Sequence, residues 1–214
     1  MVITSNTQLY LITPPKINLK NFPDILAKTL DAGPVACLQL RVKNASEGII
    51  RRYIDALKPV TQARGVAFIL NDNPILAADT GCDGVHIGQQ DLAYEDAREA
   101  VGTNSVVGVT CHNSRHLAME AAEKGADYVA FGAFFESKTK KPKTQADIEI
   151  LQWWCQDMIV PAVAIGGITL NNCKPLITAR ADFLAVIESV WAHPDGPHEA
   201  VKRFNKLIQE TSHN

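Results

Sequence analysis

Short apolar runs alternate with longer amphipathic stretches along the whole chain, and this alternation is the feature that most limits its fold. A short apolar run bounded by turn residues is typical of a buried strand. Such runs predict strands at Leu9–Ile12, Val35–Leu40, Ala67–Leu70, Gly84–Ile87, Ser105–Thr110, Tyr128–Phe131, Ala162–Ile165 and Phe183–Ile187. Apolar residues at helical spacing predict helices at Phe22–Ala32, Glu47–Arg64, Pro74–Thr80, Tyr94–Val101, Ser114–Lys124, Ile148–Gln156, Leu170–Thr178 and Pro197–Glu210.

Eight strand-helix units of roughly 25 residues each, with no linker between them, predict one (β/α)₈ TIM barrel in the α/β class. The predicted single domain spans residues 1–214. The alternative is a doubly wound open sheet, which usually ends after about five or six strands and has a glycine-rich turn after the first. The sequence LITPPK at the first predicted strand contains no such turn, so the closed barrel is favoured.

Composition and charge indicate the cell compartment and the classes of partner to expect. The 214 residues, 46% hydrophobic, are enough for a large core. A net charge of -2 does not indicate electrostatic binding to nucleic acid or to an anionic membrane. Five scattered cysteines indicate reduced thiols. No apolar run approaches the ~20 residues of a membrane helix and no secretion signal is present, so we expect a soluble cytoplasmic protein without a nucleic-acid or membrane partner. A homo-oligomer is compatible with the sequence.

Two aspartates follow neighbouring predicted strands. Asp72 comes after the third strand and Asp91 after the fourth. Because the carboxyl ends of parallel strands meet at one rim, the two carboxylates should converge there, where they could hold Mg²⁺. The alternative is that Asp72 caps the helix beginning near Pro74 and that Asp91 is a turn residue.

Polar and basic residues alternate at the end of the second predicted strand. Gln39, Arg41 and Lys43 should face the barrel axis and mouth, where an Arg and a Lys suit a phosphate or diphosphate. Ion pairs with carboxylates inside the barrel are the alternative. The neighbouring pair Asn71-Asp72 favours the phosphate interpretation.

Two further segments are candidates for anion binding. Ser137 and Thr139 could donate hydrogen bonds to phosphate, with charge from Lys138 or Lys140, although the lysine run by itself favours a solvated loop. Gly166-Gly167 should let backbone N–H groups approach an anion at a helix N-terminus, or serve only as a tight turn.

The histidines do not form a metal-ligand pattern in the sequence. His86 lies within the fourth predicted strand and is interpreted as an inward-facing core residue with satisfied hydrogen bonds. No spacing typical of a catalytic triad stands out, and Cys111 has only His112 as a basic neighbour.

Together, these motifs resemble the thiamine-phosphate synthase family over nearly the whole chain from Leu9. The pieces are QLRVK, Asn71-Asp72, GVHIGQQD, GVTCH, SKTK and AIGGIT, in the right order at successive strand ends. The family condenses 4-amino-5-hydroxymethyl-2-methylpyrimidine diphosphate with a thiazole phosphate, giving thiamine phosphate and pyrophosphate. The resemblance therefore implies a Mg²⁺-dependent transferase acting on small phosphate substrates.

The resemblance also implies a role for each matching position. The pyrimidine-diphosphate site would comprise Gln39, Arg41, Lys43, Asn71, Thr110 and Lys140, and the catalytic candidates among these are Asn71, Thr110 and Lys140. The Mg²⁺ ligands would be Asp72 and Asp91. The thiazole-phosphate site would comprise Ser137, Lys138, Thr139, Gly167 and Ile187, with Glu188 beside it.

Three positions depart from the family pattern. Thr110 stands where Ser is usual and Ser137 where Thr is usual, and both keep a hydroxyl. Glu188 replaces a Ser that helps to hold the thiazole phosphate. We expect Lys138 or Lys140 to pair with Glu188, with Ser189 nearby to supply a hydroxyl.

Two other functions are considered. A thiazole tautomerase is a close relative of the same fold that would use a histidine, for which His112 is the candidate. A non-catalytic barrel that binds a phosphate ligand is the other. Asp72, Asp91 and Lys43 argue against the tautomerase, and a protein that only binds a ligand has no use for two metal carboxylates.

Overall fold

The computed structural model describes residues 7–136 and 145–212 and shows a closed barrel of parallel strands in the order β1 to β8, which confirms the predicted TIM barrel. The strands are β1 Gln8–Ile12, β2 Val35–Leu40, β3 Ala67–Asn71, β4 Gly84–Ile87, β5 Val106–His112, β6 Tyr128–Gly132, β7 Ala162–Ile165 and β8 Phe183–Val186. The helices are α1 Phe22–Leu30, α2 Glu47–Gln62, α3 Pro74–Asp79, α4 Tyr94–Val101, α5 Arg115–Lys124, α6 Ile148–Asp157, α7 Lys174–Thr178, α8 Glu188–Trp191 and α9 Pro197–Ser212.

Alternate residues of each strand face two different layers. One layer lies between the strands and the helices and contains large apolar side chains such as Leu38, Phe68, Trp154 and Phe204. The other fills the barrel interior and consists of Tyr10, Ile12, Cys37, Ile69, Tyr128, Ala130, Val163 and Ala185. The interior thus mixes small residues with two tyrosines, which brings polar atoms into the barrel.

Local signals explain where several helices begin and end. The Ser114 side chain accepts a hydrogen bond from the Leu117 N–H at the start of α5, and α5 ends at Gly125, whose φ of 97° is left-handed. Serine at an N-cap and glycine at a helix end satisfy backbone groups that the helix leaves open. None of the described helices is long and apolar enough to cross a membrane.

The region after β7 differs from the prediction of a helix at Leu170–Thr178, since α7 begins only at Lys174. The Asn172 side chain accepts a hydrogen bond from the Thr169 N–H at 2.7 Å and donates one to the Gly167 carbonyl at 2.9 Å. These bonds hold the segment as a turn, because a side chain that bonds nearby backbone groups competes with helix formation.

The sequence did not predict the one-turn helix α8, which lies directly after β8. Its end is anchored by Trp191, whose indole N–H donates to the Ile12 carbonyl at 2.7 Å and whose ring packs on Phe22. The strand β5 also runs beyond the predicted Thr110 to His112, because Cys111 is buried in the outer layer.

A test of the barrel interior uses Gly108 on β5. A Cβ built there would lie 1.9 Å from the Tyr128 ring, so we expect Gly108→Ala to destabilise the fold by about 1–3 kcal/mol through overpacking. The control is Gly48→Ala in α2, where a Cβ meets no atom within 4 Å; there alanine should stabilise by up to about 1 kcal/mol. Urea unfolding of both variants measures the difference, and equal stabilities would contradict the packing described.

Candidate active site

The end of β2 brings an amide and two cations to the mouth of the barrel. Gln39 is only 3% exposed inside the barrel, Arg41 is partly buried, and Lys43 is exposed. Thr13, buried just after β1, fixes this segment: its N–H donates to the Gln39 carbonyl and its hydroxyl accepts from the Arg41 N–H, both at 3.0 Å. Sequence reasoning missed Thr13, although a lone hydroxyl directly after a strand was a usable signal.

The structure brings the Asp72 and Asp91 carboxyl groups together, as the argument from parallel strands predicts. The pKa of Asp72 is raised, first by partial burial, then by the negative charge of Asp91 and a hydrogen bond between the two carboxyl groups. The positive charges of Lys43 and Arg41 act in the opposite direction and lower it. All four charged groups therefore face one small region at the mouth.

The alternative structural roles of the two aspartates are now distinguishable. Asn73, not Asp72, caps α3, because its side chain accepts a hydrogen bond from the Leu76 N–H at 2.9 Å. One Asp91 oxygen does close the turn after β4, where it accepts from the Gly88 N–H at 2.7 Å. Asp72 therefore does not cap α3. Asp91 uses one carboxylate oxygen in the turn contact, and its other carboxylate oxygen takes no part in that contact.

Backbone geometry directs the Asp72 side chain. Asp72 has a left-handed φ of 69°, a conformation that Asp and Asn adopt more readily than most residues. Its N–H donates to the carbonyl of His86 on β4 at 2.8 Å. The pairing of β3 with β4 therefore continues past the strand end and holds Asp72 on the side of Asp91.

The donor set fits a magnesium ion. Within residues 7–136 and 145–212, no group of three or more His, Cys, Asp or Glu residues could hold a metal ion, so the Asp72–Asp91 pair is the candidate donor set in this part of the chain. Mg²⁺ prefers hard oxygen ligands and commonly takes one or two carboxylates, with water and substrate phosphates completing the shell. A divalent cation between Asp72 and Asp91 would also replace the proton that their convergence favours.

Polar side chains run from the mouth into the barrel interior. The Thr110 hydroxyl lies 2.7 Å from His86 Nε2, and His86 Nδ1 lies 2.9 Å from the Tyr128 hydroxyl. The inward-facing, hydrogen-bonded role predicted for His86 is confirmed. Gln89, a further residue that the sequence did not single out, donates to the Thr110 carbonyl at 2.7 Å and fixes the backbone there.

The two glycines after β7 lie in a crowded turn. A Cβ at Gly167 would come within 2.3 Å of the Glu136 carbonyl oxygen, and one at Gly166 within 2.3 Å of the Ala133 Cβ. Both have a left-handed φ, of 106° and 63° in chain order. Since α7 begins only at Lys174, the expectation of a helix N-terminus directly at these glycines is wrong. A tight turn requires them, and an anion at the Gly167 N–H stays a prediction.

The end of β8 carries the remaining candidates. Ile187 is the residue before α8 and Glu188 is exposed in its first turn. The Ser189 hydroxyl is buried with no hydrogen-bond partner in the described part of the chain. Ser137, Lys138, Thr139 and Lys140, and with them the expected ion pair to Glu188, lie outside the described residues.

Comparison with known proteins identifies a family and its members. The sequence model of the family described as thiamine monophosphate synthase matches residues 9–190. A thiamine-phosphate synthase of Rhodospirillum centenum is 58% identical over 205 residues, which cover 96% of this chain and 99% of that protein. One of Hyphomonas neptunium is 47% identical over 209 residues, covering 95% and 94%.

Solved structures agree with these relatives. The thiamine phosphate pyrophosphorylase of Pyrococcus furiosus has a TM-score of 0.84 at 27% identity and covers 98% of each chain. The (S)-3-O-geranylgeranylglyceryl phosphate synthase of Thermoplasma acidophilum, at 15% identity and a TM-score of 0.71 over 97% of this chain and 95% of that one, shares the fold alone.

A thermal test follows from the raised pKa of Asp72. A carboxyl whose pKa is raised by folding is destabilising once it ionises, so stability is lost as the pH rises through that pKa. We therefore expect Asp72→Asn, which keeps a side chain suited to the left-handed φ, to raise the Tm of the metal-free protein at pH 7. Mg²⁺ at about ten times its Kd should raise the Tm of the unsubstituted protein by about 3–5 °C and leave that of Asp72→Asn unchanged.

Asp55→Asn is the matched control, since Asp55 is an exposed residue of α2. Its response to Mg²⁺ should equal that of the unsubstituted protein. A Mg²⁺ response that persists in Asp72→Asn would exclude Asp72 as a ligand.

Proposed function

Because the chain belongs to the thiamine monophosphate synthase family, we propose that it joins hydroxymethylpyrimidine diphosphate to thiazole phosphate, producing thiamine phosphate and pyrophosphate. The observation that carries the proposal is the convergence of Asp72 and Asp91 beside Arg41 and Lys43 at one rim of the barrel. Two carboxylates and two cationic side chains in one place suit a diphosphate that is bound along with a divalent cation.

In this proposal the rim binds the diphosphate as a leaving group. Arg41 and Lys43 contact its oxygens and offset its charge, and Asp72 and Asp91 hold Mg²⁺. When bound, Mg²⁺ neutralises charge that develops on the departing pyrophosphate. Positive charge at the rim stabilises the transition state because the electron pair of the breaking carbon–oxygen bond goes to the pyrophosphate, whose negative charge increases. The pyrimidine methylene becomes cationic as the bond breaks, and the thiazole nitrogen then attacks it.

Other side chains orient the pyrimidine diphosphate. Gln39 is buried near the end of β2, two residues before Arg41. Asn71 ends β3, and Thr110 contacts His86 near the end of β5. These three contribute an amide, a second amide and a hydroxyl to one end of the barrel. We assign them to the pyrimidine-diphosphate site, with Asn71, Thr110 and Lys140 as the catalytic candidates.

The thiazole phosphate is assigned to the opposite side of the mouth. Its proposed contacts are Ser137, Lys138, Thr139, the backbone at Gly167, and Ile187. Glu188 lies beside this site and is exposed. Pairing with Lys138 or Lys140 would turn its carboxylate from the phosphate. The Ser189 hydroxyl, which is buried and has no hydrogen-bond partner among the described residues, adds a donor for the position where the family uses Ser.

The proposed reaction needs no protein nucleophile, and the buried thiols of Cys111 and Cys173 are poorly suited to act as one. Burial raises the pKa of the Cys111 thiol to about 12 and that of Cys173 to about 11. A buried thiol with a raised pKa is a poor source of thiolate. Neither cysteine therefore competes with the rim as a reactive centre.

The alternative functions are not favoured. The curated relatives at 58% and 47% identity are synthases, whereas a tautomerase would rely on His112 and leave the Asp72–Asp91 pair without a use. A barrel that only binds a ligand would likewise not need the two carboxylates.

The test is synthesis by the purified protein. With both substrates and Mg²⁺, we expect thiamine phosphate and pyrophosphate in equal amounts, and no product in EDTA or with Asp91→Asn. Product formation that is unaffected by EDTA would exclude the metal assignment. No product under any divalent cation would exclude the synthase activity itself.

Steady-state kinetics of Lys43→Ala test the division of the rim. Loss of a charge that contacts the diphosphate should raise KM for the pyrimidine diphosphate about tenfold and change KM for the thiazole phosphate little. Lys124→Ala is the control, because Lys124 pairs with Glu95 at the surface, 3.1 Å away. Equal effects of Lys43→Ala on both substrates would show that the two sites are divided wrongly.

A further inference from the structure

Four side chains form a continuous hydrogen-bonded chain through the barrel interior, which we name the barrel relay. The Tyr10 and Tyr128 hydroxyls are 2.8 Å apart, Tyr128 contacts His86 Nδ1 at 2.9 Å, and His86 Nε2 contacts the Thr110 hydroxyl at 2.7 Å. A ring contact of Tyr128 with His86 and an edge contact with Tyr10 accompany these bonds. The relay therefore joins the substrate side of the barrel to its deep interior.

All members of the relay are neutral near pH 7. Tyr10 and Tyr128 are buried, which raises the pKa of both phenols well above the usual value. His86 is 9% exposed and both of its ring nitrogens contact hydroxyl groups, an environment in which burial favours the neutral imidazole. A neutral imidazole has one N–H donor and one acceptor nitrogen, so only two proton arrangements satisfy the whole chain.

The two arrangements differ in what Thr110 offers to a ligand. In the first, Thr110 donates to His86 Nε2, the imidazole donates from Nδ1 to Tyr128, and Thr110 presents only lone pairs to the mouth. In the second, Tyr10 donates to Tyr128, Tyr128 donates to His86 Nδ1, and His86 donates from Nε2 to Thr110. The Thr110 proton is then available to the substrate site.

Donor and acceptor strength favours the second arrangement. The imidazole nitrogen is the strongest acceptor in the relay, and a phenol is a more acidic donor than the aliphatic hydroxyl of Thr110. The Tyr10 phenol, buried 2.8 Å from the Tyr128 hydroxyl, supplies the donor that the second arrangement needs at the far end of the relay.

We propose that Tyr128 and Tyr10 are positioning residues that act through His86 to keep the Thr110 proton directed into the substrate site. Thr110 then donates to an acceptor atom of the pyrimidine diphosphate and rejects a ligand that offers a donor there. This inference deepens the proposed function, because it takes the ligand at Thr110 from that proposal. The proton arrangement itself is a property of the free protein and is testable without substrate.

Long-range ¹H–¹⁵N correlation spectra of the ¹⁵N-labelled protein at pH 7 read the arrangement directly. The His86 signals, assigned by their loss in His86→Gln, should show Nε2 protonated and Nδ1 unprotonated. In Tyr128→Phe, which removes only the hydroxyl, the proton should redistribute between the two nitrogens. A free protein with Nδ1 protonated, or spectra that do not change in Tyr128→Phe, would overturn the relay.

Kinetics test whether the relay acts on substrate through Thr110. Tyr128→Phe should raise KM for the pyrimidine diphosphate by roughly three- to tenfold, as expected for one misdirected hydrogen bond, and leave KM for the thiazole phosphate unchanged. In a Thr110→Val background, which lacks the hydroxyl, Tyr128→Phe should have no further effect. An equal effect in both backgrounds would assign Tyr128 a structural role only.

Two controls keep the outcomes distinct. Tyr94→Phe removes a phenol that donates to the Gly125 carbonyl outside the barrel, and it should change neither KM nor the His86 spectrum. Tyr10→Phe provides a milder change of the same sign if Tyr128→Phe does not fold. An unsubstituted protein that makes no thiamine phosphate would refute the proposed function, and the His86 spectra would still decide the relay.

Discussion

Two negative charges, Asp72 and Asp91, are held close together at the mouth of the barrel, and the arrangement of the site depends on how their repulsion is offset. The proximity raises the pKa of Asp72, while Arg41 and Lys43 act against that rise. Like charges at short range are costly in a partly buried place, so the fold must constrain the chain that carries them. The Asp72 N–H bonded to the His86 carbonyl and the Asp91 side chain bonded to the Gly88 N–H provide that constraint.

The same strands connect the mouth to a polar interior. His86 on β4 serves both, since its carbonyl holds Asp72 and its ring links Thr110 to Tyr128. A buried polar chain is stabilising only when every member is paired, because an unpaired group in the interior costs more than a hydrogen bond gains. Gly108 makes room for the Tyr128 ring beside His86, so the packing of β5 and β6 also determines the geometry of the site.

Much of this architecture was predictable from the sequence because it follows from local patterns. The eight apolar runs give the barrel, and the position of a polar residue after a strand predicts that it lies at the rim, as for Arg41 and Asp72. Three kinds of feature were not predictable. The turn at Thr169–Asn172 depends on side-chain bonds that override helix propensity, α8 depends on the contact of Trp191 with Ile12, and Thr13 acts on a residue far along the chain. The barrel relay was not predictable for the same reason. Tyr10 and Tyr128 occupy positions that the strand pattern marks as apolar, and their hydroxyls meet only when the barrel closes.

The central claim is that Asp72 and Asp91 act as one unit that holds Mg²⁺ for a diphosphate. Calorimetric titration of pyrophosphate in the presence and absence of Mg²⁺, with the unsubstituted protein, Asp72→Asn, Asp91→Asn and the double variant, tests it most directly. If the two carboxylates share one ion, each single substitution removes most of the Mg²⁺-dependent affinity and the double variant loses little more than the worse single. Losses that simply add, or Mg²⁺-dependent binding that survives in the double variant, would contradict the account.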